Sequence, residues 1–382
     1  MPSRLRSRGL ALMLFAGGTA VSLVVHARRW RADRSLAERL RAADDKSTPD
    51  MPSTPKVSVL VAAWNEARGL ERHLGSVRAL PYPDIEYILV AGGTDGTLEC
   101  ARKLAWPGCT VLEQAPGEGK QRALRRALQH ATGEIVMLTD ADCVLDARSF
   151  NRLLAPILNG QQEVVTGDSM PVPDQRNAGW LVAFRWAADA YANAHIPDHT
   201  AGILGGNCAL TREALRRAGD LRADVATGTD YHLAKSLQAA GIPIRHEPSS
   251  IVETTYPSSV RVYIRKQRRW LRNMVLHGLR FGATREAITS LATSGIGVGM
   301  LLAPFAAFVL GPSVLAVWGA AFVHSIAAKL RYLAFTSVRF APNGPRLSLR
   351  SLYDAGQMTL VEFYAWAQPL LDYLIPSRRS AW

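Results

Sequence analysis

The chain carries two hydrophobic rhythms. Gly9–Ala27 is a run of 19 residues without a charged side chain, long enough for one crossing of a hydrocarbon core about 30 Å thick. Ala287–Ala328 is 42 residues without Asp, Glu, Lys or Arg. As helix it measures about 63 Å, or two crossings, and Gly311-Pro312 near its middle supplies the turn. Leu352–Ile375 is apolar but interrupted by Asp354, Glu362 and Asp372, which at 100° per residue share an arc of about 80°. It is either a last membrane helix with its polar stripe facing protein or a helix lying in the interface. Pro369 is expected to kink or end it.

From Lys56 the rhythm shortens and alternates. The run VSVLVAA reads as a strand and Glu66–Leu80 as a helix. Ile85–Val90 is a second strand, followed by a Gly-rich turn and the helix Leu98–Leu104. Thr110–Leu112, the basic amphipathic helix Lys120–Ala131 and the strand Glu134–Leu138 continue the pattern. Strands alternating with helices predict a parallel sheet covered on both faces, with ligands bound beyond the carboxyl ends of its strands. Residues 28–55 are charged and then Pro-rich (Pro49, Pro52, Pro55), the composition of a short helix and a linker.

Composition narrows the class. Of 382 residues, 48% are apolar and 20% charged, which excludes bulk disorder. The four cysteines form no CxxC pair, against a disulfide framework or a thiolate zinc site. The net charge is +13, with net +5 in residues 1–50 and net +8 in residues 255–285, so the rest is balanced. A nucleic-acid reader spreads basic groups over its folded domain. Here they flank hydrophobic segments, the pattern of membrane-surface charge. Arg28, Arg29 and Arg31 directly after the first apolar run argue against a cleaved signal peptide.

The candidate chemistry lies at the strand ends. Thr139-Asp140-Ala141-Asp142 follows the strand EIVML. Two carboxylates at i and i+2 on extended backbone point to one side and suit Mg²⁺ or Mn²⁺ shared with substrate phosphates. The first strand runs into Asn65-Glu66, the second into Gly92-Gly93-Thr94-Asp95-Gly96-Thr97, and Gly117-Glu118-Gly119-Lys120 opens the third helix. A Gly-rich turn at a helix N-terminus suits a pyrophosphate. Gly228-Thr229-Asp230 opens another helix, where Asp230 is either a cap or a general base. Gly205-Gly206-Asn207 is a tight polar turn, and Arg265–Trp270 lies on a basic amphipathic helix before the apolar pair. His195 and His199 are separated by Pro197, which prevents one helix from presenting both to a metal. Cys143 beside the carboxylates reads as a packing residue.

In that order, Asn-Glu, Asp-Gly-Thr, GK, DAD, TD and RRW resemble the family-2 glycosyltransferases. The membrane-integrated branch with cellulose, chitin and hyaluronan synthases and ceramide glucosyltransferases is the nearer likeness, over about residues 56–275. The resemblance implies an α/β fold of the GT-A type, a Rossmann-like mixed sheet with helices on both faces, plus transmembrane helices at both ends. It implies inverting transfer from a nucleotide sugar, with a UDP-sugar the expected donor, assisted by Mg²⁺ or Mn²⁺. By position, Asn65, Glu66, Asp95, Lys120 and Asp140 would hold the donor and Asp142 the metal. Asp230 would deprotonate the acceptor hydroxyl and Arg269 would steady the leaving diphosphate. Trp270 would stack near the acceptor, beside which Gly206 and Asn207 would form a loop. Two departures stand out. Lys266 occupies the place of the family's Gln four residues before the Trp, and Ala91-Gly92 stand where a nucleoside-contacting Asp is common.

The expected organisation is a transmembrane segment at 1–30, a linker at 31–55 and a catalytic domain at 56–255. An interface helix at 256–285, a transmembrane pair at 286–330 and a loop with a last helix at 331–382 complete it. The expected partners are a nucleotide sugar, a lipid or glycan acceptor and the bilayer, with no nucleic acid. The competing readings are a processive polysaccharide synthase, a polyprenyl-phosphate sugar synthase and a non-catalytic scaffold. The last is disfavoured because Asp142 and Asp230 are both present. The basic flanks place the catalytic part on the cytoplasmic side of the cell's inner membrane. A spanning first segment would then leave Arg4, Arg6 and Arg8 outside, against the charge trend.

Overall fold

The computed structural model describes residues 2–46 and 54–374. It resolves into two compact units, an α/β unit (Ala43–Pro173, Asn193–Thr255) and a helical unit (Met1–Ala42, Asp174–Ala192, Tyr256–Trp382).

The α/β unit is built on β1 (Val57–Trp64), β2 (Ile85–Gly92), β3 (Cys109–Glu113), β4 (Ile135–Leu138), β5 (Val164–Pro171), β6 (His199–Thr200), β7 (Cys208–Thr211) and β8 (Ile244–Thr254). They form one sheet in the order β3-β2-β1-β4-β7-β5-β8-β6. The first four pair in parallel, β7 runs antiparallel to both β4 and β5, β8 returns parallel to β5, and β6 closes the edge antiparallel. The sheet is therefore mixed, as the resemblance implied, and the strands read from the alternation, β1 to β4, form its parallel half.

Both faces are covered. Val57, Val59, Val61 and Ala63 of β1 point into one core, with Leu70, Leu74 and Val77 of α2 (Ala67–Arg78) and Phe150, Leu153 and Leu154 of α5 (Ala147–Leu158). Leu60 points into the other, with Leu124 and Ala127 of α4 (Gly119–His130), Leu215 of α7 (Arg212–Arg217) and Leu233 and Leu237 of α8 (Thr229–Ala239). The alternation is the period-2 pattern of a strand buried on both sides. Helix α3 (Thr97–Leu104) follows β2. Two of the helices start where side chains accept orphan N–H groups: Asp146 from Ser149 at α5 and Thr211 from Ala214 at α7.

The helical unit holds α1 (Pro2–Asp44), α6 (Trp180–Ala194), α9 (Val260–Arg280), α10 (Thr284–Leu310), α11 (Pro312–Arg339) and α12 (Arg350–Leu374). Three of these, α1, α10 and α11, are long and apolar enough to cross a membrane. Gly311 at φ 93° ends α10, and Pro312 starts α11 with no N–H to satisfy. Backbones approach closely. A Cβ on Gly297 of α10 would lie 2.6 Å from Ala367 N of α12, and one on Gly18 of α1 would lie 2.8 Å from Ala320 Cβ of α11. Small residues at helix crossings serve this purpose in membranes.

Several boundaries differ from expectation. Helix α1 continues through Asp44, because Arg28–Arg41 carries good helix formers and no breaker, so 31–44 is not linker. Residues 47–53, with Pro49 and Pro52, lie outside the described residues. Residues 174–192, expected inside the catalytic domain, belong to the helical unit. Helix α11 runs to Arg339, beyond the expected 330, and Pro369 stays inside α12. Ile375, the expected end of that segment, lies outside the described residues.

The polar stripe of α12 meets protein. Glu362 pairs with Lys329 of α11 at 2.6 Å, and Asp372 pairs with Arg268 of α9. Lys329 and Glu362 are about nine-tenths buried. Losing one partner leaves an uncompensated buried charge, so Lys329→Met should cost about 3–5 kcal/mol. Thermal unfolding in detergent checks this, and the double variant Lys329→Met/Glu362→Leu should recover most of the loss.

Candidate functional site

The site lies at the carboxyl ends of β1, β2 and β4 in the α/β unit. Its centre is an ammonium between two carboxylates. Lys120, second residue of α4, donates from Nζ to Asp140 Oδ1 at 2.7 Å and to Asp230 Oδ1 at 3.3 Å. Burial opposes the lysine's charge, but Asp140 and then Asp230 outweigh it and hold its pKa well above the ordinary value. Asp140 follows β4, whereas Asp230 stands in the first turn of α8, after Gly228 at φ 79°. The helix dipole there favours a carboxylate.

Two glycines make room for this arrangement. A Cβ on Gly205 would lie 2.1 Å from Asp230 Oδ1 and 2.6 Å from its Oδ2. A Cβ on Gly206 would lie 2.8 Å from Cys143 Sγ and 3.4 Å from Asp140 Oδ2. The turn before β7 thus passes against both carboxylates, and a Cβ at either glycine would displace a neighbouring side chain. Thr139 Oγ1 donates to the Gly206 carbonyl at 2.9 Å, fixing turn and carboxylate loop together. Helix α4 also anchors the approach to Asp230: Arg122 binds both oxygens of Asp224, Arg125 donates to the Arg222 carbonyl and Gln121 to the Leu221 carbonyl.

Beneath the DAD loop sits His73 of α2, fully buried. Its Nδ1 is 2.6 Å from the Cys143 carbonyl and its Nε2 2.8 Å from the Tyr87 hydroxyl. A carbonyl only accepts, so Nδ1 carries the proton and Nε2 accepts from Tyr87. Desolvation lowers the pKa to about 4, so the ring is neutral at ordinary pH. The loop is held from the other side by Val144, which exchanges two backbone hydrogen bonds with Glu253 of β8. Nothing in the sequence singled out His73; a histidine on the buried side of an amphipathic helix looks like any core position. Cys143 is buried, and burial raises its thiol pKa, which fits packing and not nucleophilic work.

At the ends of β1 and β2 the expected donor residues also shape the turn. Asn65 takes φ 58°, and its Oδ1 accepts from Thr94 N–H at 2.8 Å. Asp95 accepts from Ala67 N–H at 3.1 Å, from Thr97 N–H at 3.1 Å and from Thr97 Oγ1 at 2.5 Å. Desolvation pushes the pKa of this exposed carboxylate up, and the hydrogen bonds led by Thr97 more than reverse this, so it is lowered overall. Glu66 precedes α2, half-buried, with its N–H on Thr97 Oγ1. Asp142 is half-buried beside the first turn of α2, where a Cβ on Gly69 would lie 3.7 Å from its Cα.

Asn207, expected beside an acceptor, is 1% exposed. Its Nδ2 donates to the carbonyls of Asp168 and Ser250, bracing β5 against β8. An amide so committed serves the sheet, whereas Gly205 and Gly206 of the same turn border the carboxylates. Arg269 and Trp270 belong to the helical unit, both exposed on α9, with Trp270 at 56%.

Among the described residues no three His, Cys, Asp or Glu side chains gather as a metal cluster. Asp140 and Asp142 supply two oxygen donors. That fits an ion such as Mg²⁺ or Mn²⁺ whose remaining positions are filled by substrate phosphates and water.

Residues 55–273 match the family described as glycosyltransferase like family 2. The chain belongs to that family. Among curated relatives it is 26% identical over 204 residues to the glycosyltransferase AglE of Haloferax volcanii, covering 50% of this chain and 64% of AglE. It is 24% identical over 242 residues to an N-acetylglucosaminyltransferase of Azorhizobium caulinodans, covering 58% of this chain and 60% of that protein. The chain thus spans less than two thirds of the length of these relatives. Among solved structures it resembles the mannosyltransferase PcManGT of Pyrobaculum calidifontis, determined with GDP-Man and Mn²⁺. That likeness has a TM-score of 0.54 and 22% identity, covering 96% of this chain and 98% of that one. It establishes the GT-A fold for a family-2 glycosyltransferase domain.

Two outcomes follow from the geometry. Gly205→Ala should push the flexible end of Asp230 aside and leave the fold standing. Misplacement of about 1 Å at a reacting group costs roughly 100-fold in rate, so turnover should fall by that order with little change in melting temperature. The second concerns His73. Between its ordinary pKa of 6.5 and about 4 the unfolded chain takes up the proton and the folded chain does not. Stability should therefore fall by roughly 3 kcal/mol as pH drops through that window. Denaturant midpoints at about pH 7 and about pH 4.5 should differ less in His73→Asn, which keeps a donor and removes the titration.

Proposed function

We propose that this family-2 glycosyltransferase moves a sugar, by an inverting reaction, from a nucleotide sugar to a membrane lipid or lipid-linked acceptor. The observation that carries the reading is the single Asp230 carboxylate set against Asp140 and Lys120. Inverting transfer is one in-line displacement. It needs a base on one face of the sugar and charge neutralisation of the leaving diphosphate on the other. Asp230 takes the acceptor's hydroxyl proton. Lys120, already poised between the carboxylates, is the cation nearest the base and the DAD loop. Asn65, Glu66 and Asp95 form the nucleoside end. Asp142, with Asp140 beside it, would hold a divalent cation, which would supply charge neutralisation to the diphosphate. From the resemblance, Arg269 would steady the leaving diphosphate and Trp270 would stack near the acceptor.

The long apolar helices and the basic residues around 255–285 support a bilayer acceptor and a cytoplasmic catalytic unit. The three candidate spans among the described residues favour a single transfer to lipid over threading of a polymer. The Mn²⁺ in PcManGT supports a divalent cation, and its GDP-Man widens the donor range beyond the UDP-sugars.

Asp230→Asn keeps size and polarity and removes the base. It should abolish sugar transfer while nucleotide-sugar binding, read by calorimetry, survives. Turnover retained in that variant would contradict the assignment. Asp142→Asn should instead weaken metal-dependent donor binding.

A further inference from the structure

Helix α9 presents two faces. Arg265, Lys266, Arg269 and Trp270 are exposed, and at 100° per residue they share an arc of about 140°. Gln267, Arg268 and Leu271 fall on the other side, where Gln267 and Leu271 are buried. That side has little apolar shape with which to fix the helix. Its buried residues are Tyr263, Gln267, Leu271, Asn273 and Gly278, so only Tyr263 and Leu271 bring sizeable apolar surface.

Two polar contacts within the helical unit fix it instead. Ser290 Oγ of α10 donates to the Leu271 carbonyl at 2.7 Å. Asp372 of α12, 0% exposed, pairs with the Nε of Arg268. Apolar burial is non-directional, whereas a buried carboxylate parted from its cation is left uncompensated. The ion pair therefore allows α9 few rotations about its axis, and the arginine it holds is the immediate neighbour of Arg269.

We propose that Asp372 is a positioning residue for the transfer. Through Arg268 it sets the rotation of α9, and with it the direction of Arg269 and Trp270. The proposal rests on the reading of Arg269 as the group that steadies the leaving diphosphate, and adds what holds that group in place. A helix with its side chains has a radius of about 5–6 Å, so a turn of about 10° moves an outward side chain by about 1 Å. A shift of that size at a reacting group costs roughly 100-fold in rate.

The test uses the purified full chain in detergent with Mn²⁺. It reads the melting temperature and, by calorimetry, the affinities for UDP and GDP beside those for UMP and GMP. A guanidinium on the leaving phosphate contributes to the diphosphate affinity alone, and the monophosphate affinity shows that the nucleotide site is intact in each variant. Arg269→Ala should weaken binding of the preferred diphosphate roughly tenfold. Asp372→Asn should do the same and also lower the melting temperature, because Arg268 loses its counter-charge. Added to Arg269→Ala, it should cost diphosphate binding nothing more. Arg268→Lys keeps the cation and should keep most of the diphosphate affinity. The double variant Arg268→Leu/Asp372→Leu separates holding from stability. With both charges gone, melting should return close to that of the unchanged chain, while diphosphate affinity stays low. Unchanged diphosphate affinity in the double variant, or a further loss when Asp372→Asn is added to Arg269→Ala, would overturn the proposal and leave the reading of Arg269 standing. Unchanged diphosphate affinity in Arg269→Ala itself would overturn that reading, and the proposal with it.

Discussion

The ammonium of Lys120 joins three parts of the chain that meet only in the fold: the end of β4, the start of α4 and the start of α8. Asp140 and Asp230 both lie on this one nitrogen, so their bonded oxygens stand no more than about 6 Å apart. Two carboxylates this close repel each other, and the positive charge of the lysine between them offsets that repulsion at the mouth of a sheet whose walls are dry. Much of the surrounding structure serves this contact. Gly205 and Gly206 clear the space, Thr139 ties their turn to the strand, His73 supports the loop from below, and the arginines of α4 tether the path to Asp230.

Much of the site was legible because its signals are local. A strand of period two predicts that carboxylates at i and i+2 after it share a side. A Gly-rich turn between strand and helix predicts open backbone at the same edge. The α/β alternation is equally local, and β1 to β4 lie within a residue or two of their expected places. What escaped is what depends on distance in space. Gly205 reads as one more turn glycine until Asp230, 25 residues on, fills the place of its missing side chain. Asn207 looks available in a polar turn, yet its amide closes β5 on β8. His73 carries no pattern beyond a helix face.

The helical unit was less legible for a related reason. Charge alone cannot tell a linker from a helix that continues past the bilayer, which is how 31–44 escaped. The segment 174–192 is too short and mixed to announce itself as part of a helical assembly. On α12 the carboxylate arc was visible, but its meaning waited on Lys329 and Arg268. Buried pairs of this kind give up solvation for position, so they fix which face of α12 meets protein.

The measurement that tests the central claim most directly uses the purified full chain in detergent with Mn²⁺ or Mg²⁺. A panel of nucleotide sugars is assayed for nucleoside diphosphate release, with and without a total lipid extract. The account predicts release from one donor, only with the metal, and strongly increased by the lipid. Clear nucleotide binding with no release from any donor, lipid present, would contradict it and leave a glycosyltransferase fold that binds without turning over.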